Sequence, residues 1–206
     1  MVYELPPVEL ITPVLLAACD RPGPRYTSYP TALEFSDAWT ADHYLKRLSA
    51  LRAATDHPVS IYVHIPFCRR RCAFCGCNTA LCRNDGDIDR YLQALHREID
   101  LVASALPFCP QVAQLHLGGG TPTILSAPQL EALISHLRSH FSLIPEAEVS
   151  IEVNPAVTSA TQIRQLRELG FNRLSAGVQD FDPEVLRASG RMQSPKDTDK
   201  IGRAHV

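Results

Sequence analysis

The chain has 206 residues, 45% of them hydrophobic and 20% charged, with 20 basic against 22 acidic side chains and a formal net charge of -2. That balance excludes global disorder, because enough apolar material is present to offset the entropy of ordering. It also argues against a dedicated nucleic-acid binder, which carries a basic excess. No run approaches the roughly 20 apolar residues of a spanning helix, and no basic-then-apolar secretory pattern opens the chain, so no membrane partner is expected.

Residues 1–56 read as an N-terminal extension. Pro6, Pro7, Pro13, Pro22, Pro24 and Pro30 oppose long regular structure there. The spacing of Tyr44, Leu45, Leu48 and Leu51 predicts a helix over 40–54. Residues 57–199 then follow a strand–loop–helix rhythm. Strands are expected at Val59–Ile65, Val112–Leu117, Glu148–Val153 and Arg173–Val178. The helices between and after them are expected at Asp87–Ala105, from Ser126, at Ser159–Leu169 and at Pro183–Ala188, with Gly170 as a C-terminal stop. Four such alternations predict an α/β fold with a parallel sheet and right-handed crossovers, either a barrel or a doubly wound sheet.

Chemistry concentrates at the strand ends. Seven cysteines, odd in number, with five between Cys68 and Cys82, fit a reducing cytoplasm better than a disulfide framework. Cys68, Cys72 and Cys75, spaced C-x3-C-x2-C directly after the first strand, can hold one face of an iron–sulfur cube and leave one iron open. Zinc is the alternative, with Cys77 as a crowded fourth ligand. Gly118-Gly119-Gly120-Thr121-Pro122-Thr123 ends the second strand, where three glycines allow a ligand close to the backbone. It is neither a P-loop nor a dinucleotide fingerprint. Glu152 and Asn154 close the third strand, Gln179 and Asp180 the fourth. Each can simply cap a helix, but polar sets at four successive strand ends favour one shared site. His136 and His140, four apart without an adjacent glutamate, read as surface helix, and Cys19, Cys82 and Cys109 as free thiols. His64 ends the first strand within reach of a supporting role beside the cysteines.

These blocks, together with Tyr62-Val-His-Ile-Pro-Phe-Cys68, Gly23-Pro-Arg-Tyr-Thr-Ser-Tyr-Pro-Thr-Ala-Leu33, Ser150–Pro155 and Phe171–Phe181, resemble the radical S-adenosylmethionine (SAM) superfamily. Within it they are most similar to the oxygen-independent coproporphyrinogen III oxidase family. Cys77 and the Gly23–Leu33 block carry the narrower likeness; the alternative is a haem-binding or haem-transfer relative without decarboxylase activity. The resemblance implies a partial TIM-like (β/α) barrel, here with about four units. It implies a [4Fe–4S] cluster on Cys68, Cys72 and Cys75, and two SAM molecules. Tyr62, Phe74, Gly119 and Glu152 match positions around the first SAM, and Gly120, Thr121, Gln179 and Arg191 match positions around the second. Cys77 is then no ligand. Asn154 stands where that family often has Asp and receives no role.

The implied reaction is oxidative decarboxylation of two propionates of coproporphyrinogen III to protoporphyrinogen IX, started by a 5′-deoxyadenosyl radical made from SAM. It requires a cytosolic electron donor, and the full-length protein is expected to be a monomer. Arg25, Arg69, Arg70 and Arg71 are candidates for substrate carboxylates. Family members run on for roughly as long again. The closing Ile201–Val206 reads as the translation, with an in-frame stop, of a widely used sequencing adapter. The chain is therefore expected to be an N-terminal fragment, inactive alone, with residues 200–206 a non-native tail.

Overall fold

In the computed structural model, residues 12–20, 34–51 and 58–204 are described. They belong to two units, Met1–Ala41 and Asp42–Val206. The Gly23–Leu33 block and Arg25 lie outside the described residues. In the first unit, helix α1 (Pro13–Cys19) opens with Thr12, whose hydroxyl accepts from the Leu15 N–H at 3.2 Å, and with Pro13 at the first helical position. Proline there loses nothing, because its missing N–H has no helical partner in any case.

Helix α2 spans Ala41–Ser49, shorter than the periodicity predicts. The last turn closes through Leu51 N–H to the Leu48 carbonyl at 3.1 Å. The apolar spacing is real, since Tyr44, Leu48 and Leu51 wall a cavity beside β1 and α3, but it outlasts the helix that carries its first members.

The second unit is built on strands β1 (Val59–Ile65), β2 (Phe67–Cys68), β3 (Ala80–Leu81), β4 (Gln111–Gly119), β5 (Ser142–Val153) and β6 (Arg173–Ala176). Helices α3 (Asp85–Ala105), α4 (Ala127–His140) and α5 (Ala160–Glu168) cross over between them, and α6 (Pro183–Ala188) and α7 (Pro195–Ala204) follow. The main sheet is parallel in the order β1-β4-β5-β6; β2 and β3 form a separate parallel pair. Sequential order with a helix in each crossover is the arrangement of a partial (β/α) barrel rather than of a doubly wound sheet, whose order reverses.

Alternation along the strands separates two faces. Val63, Ile65, Leu115, Leu117, Val149, Ile151 and Val153 are buried with Ile88, Leu92 and Ile99 of α3, Leu133, Ile134 and Leu137 of α4, and Ile163 and Leu166 of α5. Each such side chain contributes about 1.5–3 kcal/mol on burial. The intervening Tyr62, His64, His116, Ser150 and Glu152 occupy the other face, the inside of the partial barrel.

Several boundaries differ from the expected ones for identifiable reasons. β5 begins at Ser142, because the chain leaves α4 at Phe141 and pairs at once with Gln111. A bulge between the Val112–Leu143 and Gln114–Glu148 pairs takes up Pro145, which has no N–H to give a ladder. β6 ends at Ala176 rather than Val178, because Val178 N–H turns back to the Ala176 carbonyl at 3.0 Å. Gly170 has φ +87° and closes α5 as expected, and the Arg138 guanidinium donates to the Leu169 carbonyl at 2.8 Å. α7 was not foreseen. Ser194 and Asp197 cap it reciprocally, and its one well-buried side chain, Ile201 at 5% exposure, joins the core. Among the described residues no helix is long and apolar enough to cross a membrane.

Candidate active site

The cysteine segment leaves β1 at Pro66 and is stitched down on three sides. β2 pairs with β3, with Ala80 N–H donating to the Pro66 carbonyl (2.8 Å) and Cys82 N–H to the Cys68 carbonyl (2.9 Å). The glycine run at the end of β4 supplies the second side, through Gly120 N–H to the Ile65 carbonyl (2.9 Å) and Thr121 N–H to the Phe67 carbonyl (3.0 Å). On the third side, Ala73 N–H donates to the Ser189 carbonyl at 3.0 Å, just after α6.

Two glycines are required by this closeness. A Cβ on Gly120 would lie 2.7 Å from the Pro66 and Phe67 carbonyl oxygens and 2.9 Å from Cys68 Sγ. Gly119 has φ +121°, in the region only glycine enters freely, and its N–H donates to Glu152 Oε2 at 3.1 Å.

Cys68, Cys72, Cys75, Phe74, Gly119, Gly120, Thr121, Glu152, Gln179 and Arg191 line one cavity of about 250 Å3. Of the cluster and SAM positions expected from the resemblance, only Tyr62 stands outside that wall. It lies on the inner face of β1, 57% exposed, its ring stacked on His116 at 5.8 Å and its hydroxyl donating to His64 Nδ1 at 2.9 Å. His64 Nε2 donates to the Asn78 carbonyl at 2.8 Å, and because a carbonyl only accepts, this pair sets the ring's tautomer. His64 thus ties β1 to the returning arm of the cysteine segment.

Cys68 Sγ lies 3.6 Å from Thr121 Oγ1. Burial pushes the Cys68 thiol above its ordinary range; the Thr121 contact opposes this, Cys75 and Cys72 add to it, and Arg191 weakly opposes it. Burial raises Cys77 too, helped by its neighbour Cys75 and by Glu152. At Cys68, bound cationic iron would reverse that balance by favouring the thiolate. This donor set fits an iron–sulfur cluster.

The opposite wall is set by β6 and the segment after it. Arg191 is 9% exposed, donates to the Gly177 carbonyl at 2.6 Å, and has a buried Nε without a partner among the described residues. Gln179 holds φ +69°, a left-handed conformation that costs a non-glycine residue on the order of 1 kcal/mol and clusters at functional sites. Glu152 is steadied by the Gly119 N–H and by His116 Nε2, 3.6 Å from its Oε1.

Asn154 reaches the cavity wall, although its Oδ1 is engaged by the Ala156 N–H at 3.1 Å. Asp180 does not reach it: its carboxylate accepts from the Phe181 and Asp182 N–H groups, which is local capping. Among the arginine candidates, Arg69 is committed to Asp85 at 2.6 Å, while Arg70 and Arg71 line the cavity. The sequence reading missed Thr79, Ser175 and Gly177 in the wall, and the Ser189–Gly190 turn under the cysteines. Gly190, at φ +75° next to a helix end, was the available signal for that turn.

Residues 62–205 match the family model described as the radical SAM superfamily. The chain belongs to the radical SAM superfamily. Membership implies a [4Fe–4S] cluster and SAM. The chain is 46% identical over 192 residues to an oxygen-independent coproporphyrinogen III oxidase of Pseudomonas aeruginosa, covering 92% of this chain and 42% of that protein. It is 48% identical over 172 residues to the protein of that name from Escherichia coli, covering 83% and 36%. A solved structure described as coproporphyrinogen III oxidase from Escherichia coli, a radical SAM enzyme, superposes with a TM-score of 0.80 at 43% identity over 87% of this chain and 41% of the other. The chain thus spans about two fifths of the length of these relatives.

Proposed function

We propose that this chain carries the cluster- and SAM-binding part of an oxygen-independent coproporphyrinogen III oxidase, which converts two propionates of coproporphyrinogen III to vinyl groups. One observation carries the reading: three cysteines meet Gly119–Thr121, Glu152, Gln179 and Arg191 around a single cavity at the strand ends. The names of the relatives supply the substrate.

Cys68, Cys72 and Cys75 would hold the cluster. When bound, the cluster would supply the electron for cleaving the C5′–S bond of SAM, and the chemistry so started would remove a hydrogen atom from a propionate β-carbon, release carbon dioxide, leave the vinyl group and pass one electron to a separate acceptor. The chain's own residues prepare that event. Glu152, held between Gly119 N–H and His116, presents a fixed carboxylate to a cationic group of the first SAM. Tyr62 and Phe74, at 57% and 52% exposure, offer ring faces to the same ligand. Gly120, Thr121, Gln179 and Arg191 would line the place of a second SAM, with the Arg191 guanidinium, anchored on the Gly177 carbonyl, beside its carboxylate. Arg70 and Arg71 line the cavity and would be available to substrate carboxylates, which a guanidinium pairs bidentately. A cytosolic donor would supply the electrons. Residues 200–206 are proposed to be adapter-derived, which a fresh genomic read across the codons around Asp199 decides.

The test is anaerobic reconstitution of the chain. About four iron and four sulfide per chain are expected, with loss of both in Cys68→Ala, Cys72→Ala and Cys75→Ala, and with SAM bound only when the cluster is present. Zinc in place of iron would sink the reading. The chain, and any longer product its genomic frame encodes, are then assayed with SAM and coproporphyrinogen III; tight haem binding without decarboxylation by the longer product would replace the oxidase with a carrier.

A further inference from the structure

A second ligand set lies on the helical layer. α3 and α4 pack side by side, and each offers a pair of residues four apart to the other: His96 and Asp100 from α3, His136 and His140 from α4. Four-residue spacing puts both members of a pair on one helix face. Asp100 Oδ1 lies 2.8 Å from His136 Nε2 and 3.0 Å from His140 Nε2, and the three donor atoms are all within 4.8 Å of one another. His96 stacks on His136 with ring centroids 4.6 Å apart, and His136 meets His140 edge-on at 5.0 Å, so the rings are braced. The pair read from sequence as plain surface is half-buried and shares one carboxylate oxygen.

Hydrogen bonding accounts for only half of this. His140 Nε2 has a bond to Asp100 Oδ1. His136 Nε2 is as close, yet it is a buried atom with no hydrogen-bond partner, because its in-plane direction is not aimed at the oxygen. A metal ion placed between the donors would bond each of them separately, without requiring them to face one another. Zinc–nitrogen and zinc–oxygen bonds of about 2.0–2.2 Å place donors roughly 3.3 Å apart in a tetrahedron, so the two Asp–His pairs, at 2.8 and 3.0 Å, would open by only a few tenths of an ångström.

We propose that Asp100, His136 and His140 bind a zinc-class divalent ion that clamps α3 to α4. Two imidazoles and a carboxylate suit zinc, and also cobalt, nickel or copper. The side chains are 53%, 27% and 32% exposed, which leaves water free to complete the coordination. His140 is the last residue of α4, where the helix dipole favours a cation. Crossover helices run against their strands, so this site lies at the end of the sheet away from the cysteine cavity. Its role is to hold the helical layer together rather than to act in the radical chemistry.

The test uses the whole chain carrying Cys68→Ala, Cys72→Ala and Cys75→Ala, so that the cluster thiols cannot take the probe. Titration with Co2+ alone is expected to saturate at one equivalent, with visible ligand-field absorption and no thiolate charge-transfer band. Adding His140→Ala or Asp100→Asn raises Kd about tenfold or more. Where the cysteine variant fails to fold, the cluster-loaded parent, whose three cluster thiols are occupied, is heated with and without Zn2+ alone. Tm is expected to rise in the parent and not in His136→Ala/His140→Ala, as binding to the folded state alone requires. Absence of saturable Co2+ binding, a thiolate band, or a Zn2+ shift that survives the double histidine variant each overturns the proposal.

Discussion

Gly120→Ala is the most direct probe of how the cysteines are held. The added methyl would lie 2.7 Å from two carbonyl oxygens, about 0.6 Å inside the closest ordinary C···O contacts of ~3.3 Å. Neither oxygen can turn away freely. The Pro66 carbonyl accepts from Ala80 N–H at 2.8 Å and the Phe67 carbonyl from Thr121 N–H at 3.0 Å. Relief therefore costs either strain, about 1–3 kcal/mol for an overpacked methyl, or a backbone hydrogen bond, about 0.5–1.5 kcal/mol. A loss of about 3 kcal/mol corresponds to a fall in Tm of roughly 6–12 °C for a domain of this size. Because Cys68 Sγ is the third atom in the way, at 2.9 Å, iron incorporation falls as well.

Thermal unfolding of the cluster-free chain, with iron and sulfide analysis after reconstitution, reads both effects. Gly76→Ala is the internal control: it lies in the same cysteine segment but its Cβ would meet nothing within 4 Å, so a change within about 0.5 kcal/mol is expected. If Gly120→Ala melts and loads iron like Gly76→Ala, the close packing of the two segments is wrong.

Other perturbations separate the remaining walls of the site. Glu152→Ala removes the acceptor of Gly119 N–H, a charge-assisted bond of about 1.5–3 kcal/mol, and should weaken SAM binding tenfold or more in equilibrium dialysis; unchanged binding would remove Glu152 from the site. Arg191→Ala strips the Gly177 carbonyl of its 2.6 Å donor and should cost about 1–3 kcal/mol in denaturant unfolding, with Arg191→Lys recovering part of it. Ile201→Ala should cost about 2 kcal/mol, and a variant that melts with the parent would place Ile201 outside the cooperative fold.

Asp197 gives a pH prediction. Its carboxylate accepts from the Ser194 backbone N–H and hydroxyl, which hold its pKa below the ordinary Asp value of 3.8. Because the folded value is the lower one, the capping contribution is complete above 3.8 and is lost as pH falls through the depressed value. Carbon NMR titration of the Asp197 carboxyl should show that displacement, and Asp197→Asn should abolish the acid-induced loss of α7 helicity.

Legibility followed the range of the interactions. β1 was readable to the residue because Val59–Ile65 is a β-branched run bounded by Pro58 and Pro66. α5 was readable because Ser159 and Gln162 form a capping box and Gly170 stops the helix. The cysteine spacing and the glycine run marked the site because both are local patterns. What escaped depends on partners far along the chain. β2 and β3 are two residues each, too short for periodicity. α7 has Ile201 as its one large apolar side chain, too little to show a periodicity. His136 and His140 were visible as a pair, but their carboxylate comes from Asp100 on another helix, and nothing in their own neighbourhood announces it.

The cysteine segment's third attachment has a consequence for biosynthesis. Ala73 rests on the Ser189 carbonyl, about 120 residues further along the chain. At roughly 5–20 residues per second, translation leaves Cys68, Cys72 and Cys75 without that support for about ten seconds after they are made. During that interval the thiols are open to oxidants and stray metals, so iron loading belongs after release of the Ser189–Gly190 turn, and a pause in translation before it lengthens the vulnerable window.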